Sequence, residues 1–462
     1  MDIMKKYRFS SFEFHLFLIL LAIEVLMSFT FFGYIHFPPV SITFAYIPIL
    51  IAACVLGTKE STVLGAVFGL ASMYKSTVHS AQPVDMLFSP VLSGKPVSSL
   101  VMALGVRILF GFLAGIAFCA AKKCKKSDFC IGVVSFFSPI VHAMLILAAM
   151  CILFPECIEK SFFSLYIIVS NTASAVICVL IIKIVRVIFN KPKFKNIKSA
   201  VDRAGNIPYA NFDKKHFKIA YFSAFIFCMT VAAAWYFSNQ TYNMLRFHNV
   251  AVSGAIKNDL TNMMMQFTAA GLSLNALGVV ILNLFYRYTN YQSFIGECDA
   301  VTGVMGRRIF LNCCGRAQKN ADLREFSTGW FLFIDVDNFK AVNDNLGHAA
   351  GDSVLKEIAL TIKSVFYDYG ICGRMGGDEF AVMLDKAALS EDSIKKFLDD
   401  FLEKIADILP ENIKVTCSIG ACRFSFPADI TSLMDKADEL LYKAKQNGRA
   451  CYVLGEYDNR GE

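Results

Sequence analysis

Long apolar runs fill the chain as far as about residue 286 and then stop, and no other feature limits so tightly what it can fold into. Windows of about 17 to 25 apolar residues, the length that crosses ~30 Å of hydrocarbon, lie near 13–36, 41–57, 61–75, 98–121, 129–154, 162–185, 219–237 and 269–287. The composition agrees: 55% of the 462 residues are hydrophobic, well above a soluble globule. The first half is therefore expected to be an all-α polytopic membrane domain of about eight transmembrane helices. The first run is too long, and lacks a small-residue cleavage site, for a removable signal peptide.

Eight spans put both termini on one side, and the basic residues indicate which. Lys5, Lys6 and Arg8 precede the first span, Lys59 follows the second, and Lys122, Lys123, Lys125 and Lys126 follow the fourth. Nine Lys/Arg lie between Arg186 and Lys218, after the sixth. Loops on the other side carry few, among them Lys75, Lys95, Lys160, Arg246 and Lys257. The positive-inside rule places both termini in the cytoplasm of a bacterial cytoplasmic-membrane protein. The formal charge of +7 is thus read as topology and lipid contact, not nucleic-acid binding. The fifteen Cys form no CxxC pair and no Cys/His metal spacing, which fits small core hydrophobes in a reducing compartment.

Between the last two spans, Met244, Phe247, Ala251, Ile256, Leu260, Met263 and Met264 approximate an amphipathic helical stripe within an external segment, 238–268. Beyond the last span, Leu284, Tyr288, Tyr291, Ile295 and Cys298 step by 4, 3, 4 and 3, the spacing of a coiled-coil seam that also suits an ordinary helix exit. Arg107, an intramembrane charge, is either a functional group or an Arg paired for packing.

After residue 296 charged residues intersperse normally and strands alternate with helices. Strands are expected near 330–336, 370–374, 380–384, 413–424 and 450–454, and helices near 300–320, 350–366, 390–408 and 430–446. The strand Phe331–Val336 delivers Asp335 and Asp337 two positions apart, hence to one side. Such carboxylates suit a hard cation, with the carbonyl of Val336 as a further ligand; alone, the pair suits a turn equally well. Gly373-Arg374-Met375-Gly376-Gly377-Asp378-Glu379-Phe380 reads as two strands joined by a tight turn whose tip carries two acids.

Asp335-Val336-Asp337-Asn338-Phe339-Lys340, Asn343-Asp344, Gly347-His348, Gly351-Asp352 and Gly376-Gly377-Asp378-Glu379-Phe380 together resemble the GGDEF family of diguanylate cyclases, over about Asp299 to Gly455. The resemblance implies an α+β, nucleotide-cyclase-like fold (a ferredoxin-like palm) and condensation of two GTP into cyclic di-GMP by a homodimer. By the same resemblance, Asp335, the Val336 carbonyl, Asp378 and Glu379 would hold two Mg²⁺ or Mn²⁺ per half-site, and of the catalytic pair Asp378 would also accept the proton, with Glu379 its essential neighbour. Asn343 and Asp352 would read guanine, His348 would contact the nucleotide, and Lys340, Lys445 and Arg449 would meet the triphosphate beside Gly376 and Gly377. The opening motif Asp299-Ala300-Val301-Thr302-Gly303-Val304-Met305-Gly306 departs from the family at Val301 and Gly306, which is expected to loosen local packing. An inhibitory product site, an Arg-x-x-Asp, is replaced by Tyr367-Asp368-Tyr369-Gly370, so no such site is expected.

Phe37-Pro38-Pro39, Tyr46-Ile47-Pro48, Leu56-Gly57-Thr58-Lys59-Glu60 and Gly65-Ala66-Val67-Phe68-Gly69 are similar in order to the substrate-binding S subunit of energy-coupling-factor vitamin transporters, over roughly 13–185. That implies an unidentified small-molecule ligand. The expected organisation is a six-helix sensor-like domain (1–190), a basic linker (191–218), two further spans (219–290), a signalling helix (284–298) and the cyclase domain (299–456). The rival reading is a catalytically silent module that binds nucleotide and regulates a transporter-like membrane domain.

Overall fold

The structure is a computed structural model that describes residues 11–30, 32–37, 40–78, 83–157, 165–204, 212–248, 253–319, 328–385, 389–406 and 415–458. Lys5, Lys6, Arg8, Pro38, Pro39, Lys160, Ala251 and the linker stretch 205–211 lie outside them. The chain divides into two compact units, Met1–Gly205 with Asn211–Tyr288, and Asn206–Ala210 with Thr289–Glu462.

The first unit runs α1 (Phe12–Phe29), a hairpin of β1 (Tyr34–Phe37) and β2 (Val40–Thr43), α2 (Ile47–Val55), α3 (Thr58–Val78), α4 (Pro96–Leu100), α5 (Val106–Lys123), α6 (Ser127–Leu153), α7 (Leu165–Asn190), α8 (Pro192–Ala204), α9 (Phe212–Phe247) and α10 (Gly254–Glu297), which continues past Tyr288. Among the described residues, six segments are long and apolar enough to cross a membrane: Phe12–Phe29, Pro96–Lys123, Ser127–Leu153, Thr172–Asn190, Tyr221–Phe247 and Gly254–Glu297. The two remaining expected windows are not among those six segments. The window 41–57 is split between β2 and the nine-residue α2, which Pro48 starts and Gly57 (φ +144°) ends. The window 61–75 is the 21-residue α3.

Glycine pairs seat α3 against α5. A Cβ on Gly65 would lie 2.3 Å from the Arg107 carbonyl oxygen, and one on Gly111 would lie 2.3 Å from that of Ser61. Gly65 and Gly69, like Gly111 and Gly115, form a small-xxx-small pair that lets two apolar helices meet backbone to backbone. Between α4 and α5 a π-turn, Val101–Gly105, leaves carbonyls that Arg107 Nη1 takes, those of Met102 (3.0 Å) and Ala103 (3.1 Å). The guanidinium lies between the rings of Phe68 and Phe88, 5.1 and 4.8 Å from their centroids. Of the two readings of Arg107, these contacts are those of a charge paired for packing.

The external stripe of 238–268 is not one helix. Met244 and Phe247 end α9, whereas Ile256, Leu260, Met263 and Met264 belong to α10. Those two helices run antiparallel: Ser223 Oγ donates to Asn275 Oδ1, and a Cβ on Gly271 would meet Thr230. Near its exit from the unit, α10 is held by polar contacts. His15 Nε2 lies 3.3 Å from Asn283 Oδ1, and buried Arg287 donates to the Val201 carbonyl on α8 (3.2 Å). The next α8 residue, Asp202, accepts from Phe12 N at the start of α1 (2.7 Å).

The second unit holds β3 (Met305–Gly306), α11 (Arg307–Lys319), β4 (Thr328–Val336), α12 (Phe339–Leu346), α13 (His348–Phe366), β5 (Gly370–Gly376), β6 (Glu379–Leu384), α14 (Glu391–Ala406), β7 (Cys417–Ser425), α15 (Ile430–Gln446) and β8 (Tyr452–Glu456). Its sheet has the order β3-β5-β6-β4-β7-β8, with β4 central and antiparallel to β6 and β7. Alternation along β4 builds two cores. Trp330, Leu332, Ile334 and Val336 join α13 and α14, while Phe331 and Phe333 join α11 and α15. Asp335 continues the second set and so emerges on the α15 side.

The elements follow the sequence pattern, with three differences. The helix expected from 300 begins at Arg307, after a turn and β3; α12 was not foreseen; and α10 ends at Glu297, so Cys298 leaves the seam and bridges Met305. Residues 407–414, which include the start of the 413–424 strand, lie outside the described residues. Gly306 packs tightly rather than loosely, since a Cβ there would lie 2.7 Å from the Glu297 carbonyl oxygen, and Val301 packs on the first core.

At Gly420 on β7 a Cβ would come within 2.0 Å of the Ala437 carbonyl oxygen and 2.4 Å of Leu441 N, both backbone atoms of α15. Gly420→Ala is expected to force α15 off the sheet and cost about 1–3 kcal/mol. Urea unfolding followed by fluorescence of buried Trp330, in a Trp235→Phe background, measures it.

Candidate active site

The register of the sheet builds an acidic edge at one end. Asp335, the penultimate residue of β4, is paired with Glu379 on β6 and Ser418 on β7. The Val336 N–H donates to the Asp378 carbonyl (3.3 Å), which draws the hairpin turn against the end of β4. Lys445, in the last turn of α15, places Nζ 2.9 Å from Asp335 Oδ1. Burial raises the Asp335 carboxyl above its ordinary range; Asp378 and Asp337 push it further, against the opposing pull of Lys445. Glu379 is raised in the same way, first by burial and then by Asp335, Asp378 and Asp438, again opposed by Lys445.

The two aspartates of β4, equivalent in the sequence, part company here. Asp337 lies just past the strand and accepts from Thr416 Oγ1 (2.7 Å), Ser418 Oγ (2.7 Å) and Ala450 N (3.1 Å). It ties the start of β7 to the turn after α15, where Arg449 and Ala450 both take positive φ, +66° and +51°. That conformation costs free energy in non-glycine residues and persists because it is held. Asp337 is therefore a buried anchor that sets where Arg449 stands, and Asp335 is the carboxylate left facing the edge.

The hairpin between β5 and β6 carries a bulge between Arg374 and Gly376, and Gly377 turns with φ +28°. A Cβ on Gly377 would meet nothing within 4 Å, so the space above the turn is open. Arg374 braces the turn from below: Nε donates to the Gly377 carbonyl (2.9 Å), and Nη1 donates to Asp299 Oδ1 (2.9 Å). Asp299 also accepts from the N–H and hydroxyl of Thr302 at 2.8 and 2.7 Å. Burial works against its charge, yet the hydrogen bonds from Thr302 and Arg374 hold its carboxyl below the usual value.

Beyond the edge, α12 and α13 meet at Gly347 (φ +83°). A Cβ on Gly351 would lie 2.0 Å from Asn343 Oδ1, so the Asn343 amide lies against the first turn of α13, beside Asp352. Lys340, His348, Asp352 and Arg449 are exposed. The structure thus joins Asp335, Glu379, Asp378 and Lys445 at one edge and Asn343 with Gly351–Asp352 at another. The sequence had given no role to Arg374, Asp299 or Asp438. The opposite charges of Arg374 and Asp299, in two motifs 75 positions apart, were the only signal for that pair.

As to a metal, no group of three or more His, Cys, Asp or Glu among the described residues forms a preformed cage. The donor set nevertheless fits a hard cation. Asp335, Asp378 and Glu379 gather three carboxylates opposed by the one ammonium of Lys445, and Mg²⁺ takes one or two such oxygens with the rest from substrate phosphates.

Asp337→Ala, which strands three donors, is expected to cost about 3 kcal/mol or more. Asp335→Asn, which removes a crowded charge, is expected to leave the same unfolding midpoint unchanged or higher. Equal losses in urea unfolding would overturn this division of roles.

Residues 297–451 match the family described as diguanylate cyclase, GGDEF domain. Diguanylate cyclase A of Treponema denticola is 41% identical over 131 residues, covering 27% of this chain and 34% of the relative. Diguanylate cyclase DgcS of Shewanella oneidensis is 32% identical over 156 residues, covering 34% and 52%. The chain spans about a third to a half of the length of these curated relatives. Among solved structures, the GGDEF domain of TpbB from Pseudomonas aeruginosa is 32% identical, with 34% of this chain and 93% of that chain covered and a TM-score of 0.31. With the acidic edge, the glycine turn and the family match all falling in one stretch, residues 297–451 of this chain are a GGDEF domain, with diguanylate cyclases among its homologues.

Proposed function

We propose that this chain is a membrane-bound diguanylate cyclase that condenses two GTP into cyclic di-GMP and two pyrophosphates as a homodimer, under control of a signal received by its membrane unit. One observation carries the reading: a crowded carboxylate edge, Asp335, Asp378 and Glu379, partly balanced by Lys445, beside a glycine turn with open space above it.

In each bond-forming step the 3′-hydroxyl oxygen of one GTP attacks the α-phosphorus of the other. Its proton passes to a carboxylate of the turn, and pyrophosphate leaves. Asp378, at the motif position that the family gives to proton acceptance, is the carboxylate for that proton, with Glu379 beside it. Lys445, Lys340 and Arg449 supply positive charge to the triphosphate, and Gly376 and Gly377 let it approach the backbone. Asn343 and Asp352 offer the amide and carboxylate that a guanine edge needs, and an adenine would leave them unpaired at about 1–3 kcal/mol each. A divalent ion held by Asp335, the Val336 carbonyl, Asp378 and Glu379 would neutralise the phosphates and acidify the attacking hydroxyl. Since each domain holds one GTP, two must face each other.

Coupling to the membrane is assigned to α10. His15, Val201 and Asp202 contact or cap the elements that hold Asn283 and Arg287, and the helix then continues to Glu297, beside the Asp299 motif. Along it, Leu284, Tyr288 and Tyr291 are part-exposed and Ile295 is 47% exposed, which suits a seam with a second copy. The six apolar segments fit a multi-pass protein with both termini in the cytoplasm.

Purified full-length protein given GTP and Mg²⁺ is expected to release cyclic di-GMP and pyrophosphate, with Asp378→Ala slower by roughly 100-fold or more. GTP bound without turnover would favour the silent regulatory reading. Asp438→Asn removes one charge that raises Glu379, so the acid limb of the rate profile should move to lower pH with its plateau kept. An unmoved limb would remove Glu379 as a group that sets it. Product feedback is expected to be absent, because Tyr367 stands where the inhibitory site has Arg and a Cβ at Gly370 would lie 2.0 Å from the Met383 carbonyl oxygen. Strong inhibition by cyclic di-GMP that Tyr367→Ala abolishes would contradict it.

A further inference from the structure

Helices α6 and α7 enclose a groove of about 930 Å³ that the cyclase reading does not use. On the α6 side it is apolar, with Phe129, Val133, Phe136 and Phe137 recurring at helical spacing around Gly132. Phe129 and Phe137 are 71% and 52% exposed, far more than side chains this size keep in a core. On the α7 side Val179 and Ile182 continue the apolar lining, Lys183 and Arg186 follow on the helix, and Lys191 lines the groove from the bend just past its end.

The charges do not cancel. Arg186 pairs with Asp128, whose carboxylate stays largely exposed, while Lys183 and Lys191 have no ion-pair partner among the described residues. Three cations and one carboxylate leave the groove at +2. Its cationic end is where α6 begins and α7 ends, next to Lys122, Lys123, Lys125 and Lys126 before α6 and Lys193, Lys195 and Lys198 in α8. A soluble anion would satisfy the lysines and leave the apolar wall in water. An apolar protein segment would cover the wall and bury unpaired lysines at a high cost. A molecule with an anionic head and long hydrocarbon tails matches both halves.

We propose that this groove is a binding site for an anionic phospholipid of the membrane, its phosphate on Lys183 and Lys191 and its acyl chains along the α6 wall. The proposal rests on the first unit being embedded in a bilayer. That premise has its own test: the chain should stay in the membrane pellet after alkaline carbonate extraction, and release into the supernatant would sink both readings together.

With the premise met, full-length protein in detergent is titrated with phosphatidylglycerol and with phosphatidylcholine, and retained lipid is counted by native mass spectrometry. The expected result is preferential retention of phosphatidylglycerol. Lys183→Gln with Lys191→Gln should weaken it about 25-fold, two lysines at about fivefold each. Lys193→Gln with Lys195→Gln, on α8 outside the groove, should change it little. Gly132→Phe supplies the steric arm. A Cβ there meets nothing within 4 Å, so the ring fills the groove without displacing backbone and should expel the lipid with every cation in place. Equal retention of the two lipids, equal loss in both lysine pairs, or undiminished binding by Gly132→Phe would each overturn the assignment.

Discussion

Two carboxylates facing each other at the end of a pair of strands are a liability that the rest of the second unit is arranged to carry. Like charges opposite one another weaken a sheet, and the register of β4 with β6 sets Asp335 against Glu379 with Asp378 beside them. The backbone is given little freedom to separate them, since β4 is paired with β7 along its whole length and with β6 from Trp330 to Asp335. What relieves them is one ammonium, Lys445, and it reaches Asp335 because α15 is pressed onto the sheet at Gly420. The edge thus keeps its charge, and keeps it unbalanced.

A second set of buried polar contacts fixes everything around that edge. Asp337 satisfies three donors and holds the Arg449–Ala450 turn in a conformation it would not adopt alone. Arg374 spans from the Gly377 carbonyl to Asp299, two residues after α10 ends. In the first unit, buried charge plays a comparable structural part: Arg107 fills the carbonyls freed by the π-turn, and Arg287 ties α10 to α8.

How much of this the sequence disclosed depended on the kind of interaction. The apolar runs and the alternation along Phe331–Val336 carry their structure on their face, because burial of a period-2 or period-3.6 pattern has one dominant solution. They led to the strands, most helices of the second unit and the emergence of Asp335 at an edge. The span near 41–57 was harder, since the same apolar composition serves a short buried helix and a spanning one, and Pro48 and Gly57 bound the nine-residue α2 there. The split between Asp335 and Asp337 was not legible either. It depends on Thr416 and Ser418, whose hydroxyls arrive from a strand some eighty residues away. Asn343 beside Gly351 and Asp352 was placed by the family resemblance alone, and the structure brings the three together.

If the acidic edge is a metal-and-triphosphate site and not a structural ion cluster, divalent cation and nucleotide must bind it together. Electron paramagnetic resonance of Mn²⁺ on the full-length protein, with and without a non-hydrolysable GTP analogue, reads this directly. The account predicts weak Mn²⁺ binding to the protein alone and roughly tenfold or greater tightening with the analogue, both lost in Asp335→Asn. Mn²⁺ binding that ignores the nucleotide, or that survives Asp335→Asn unchanged, would contradict it.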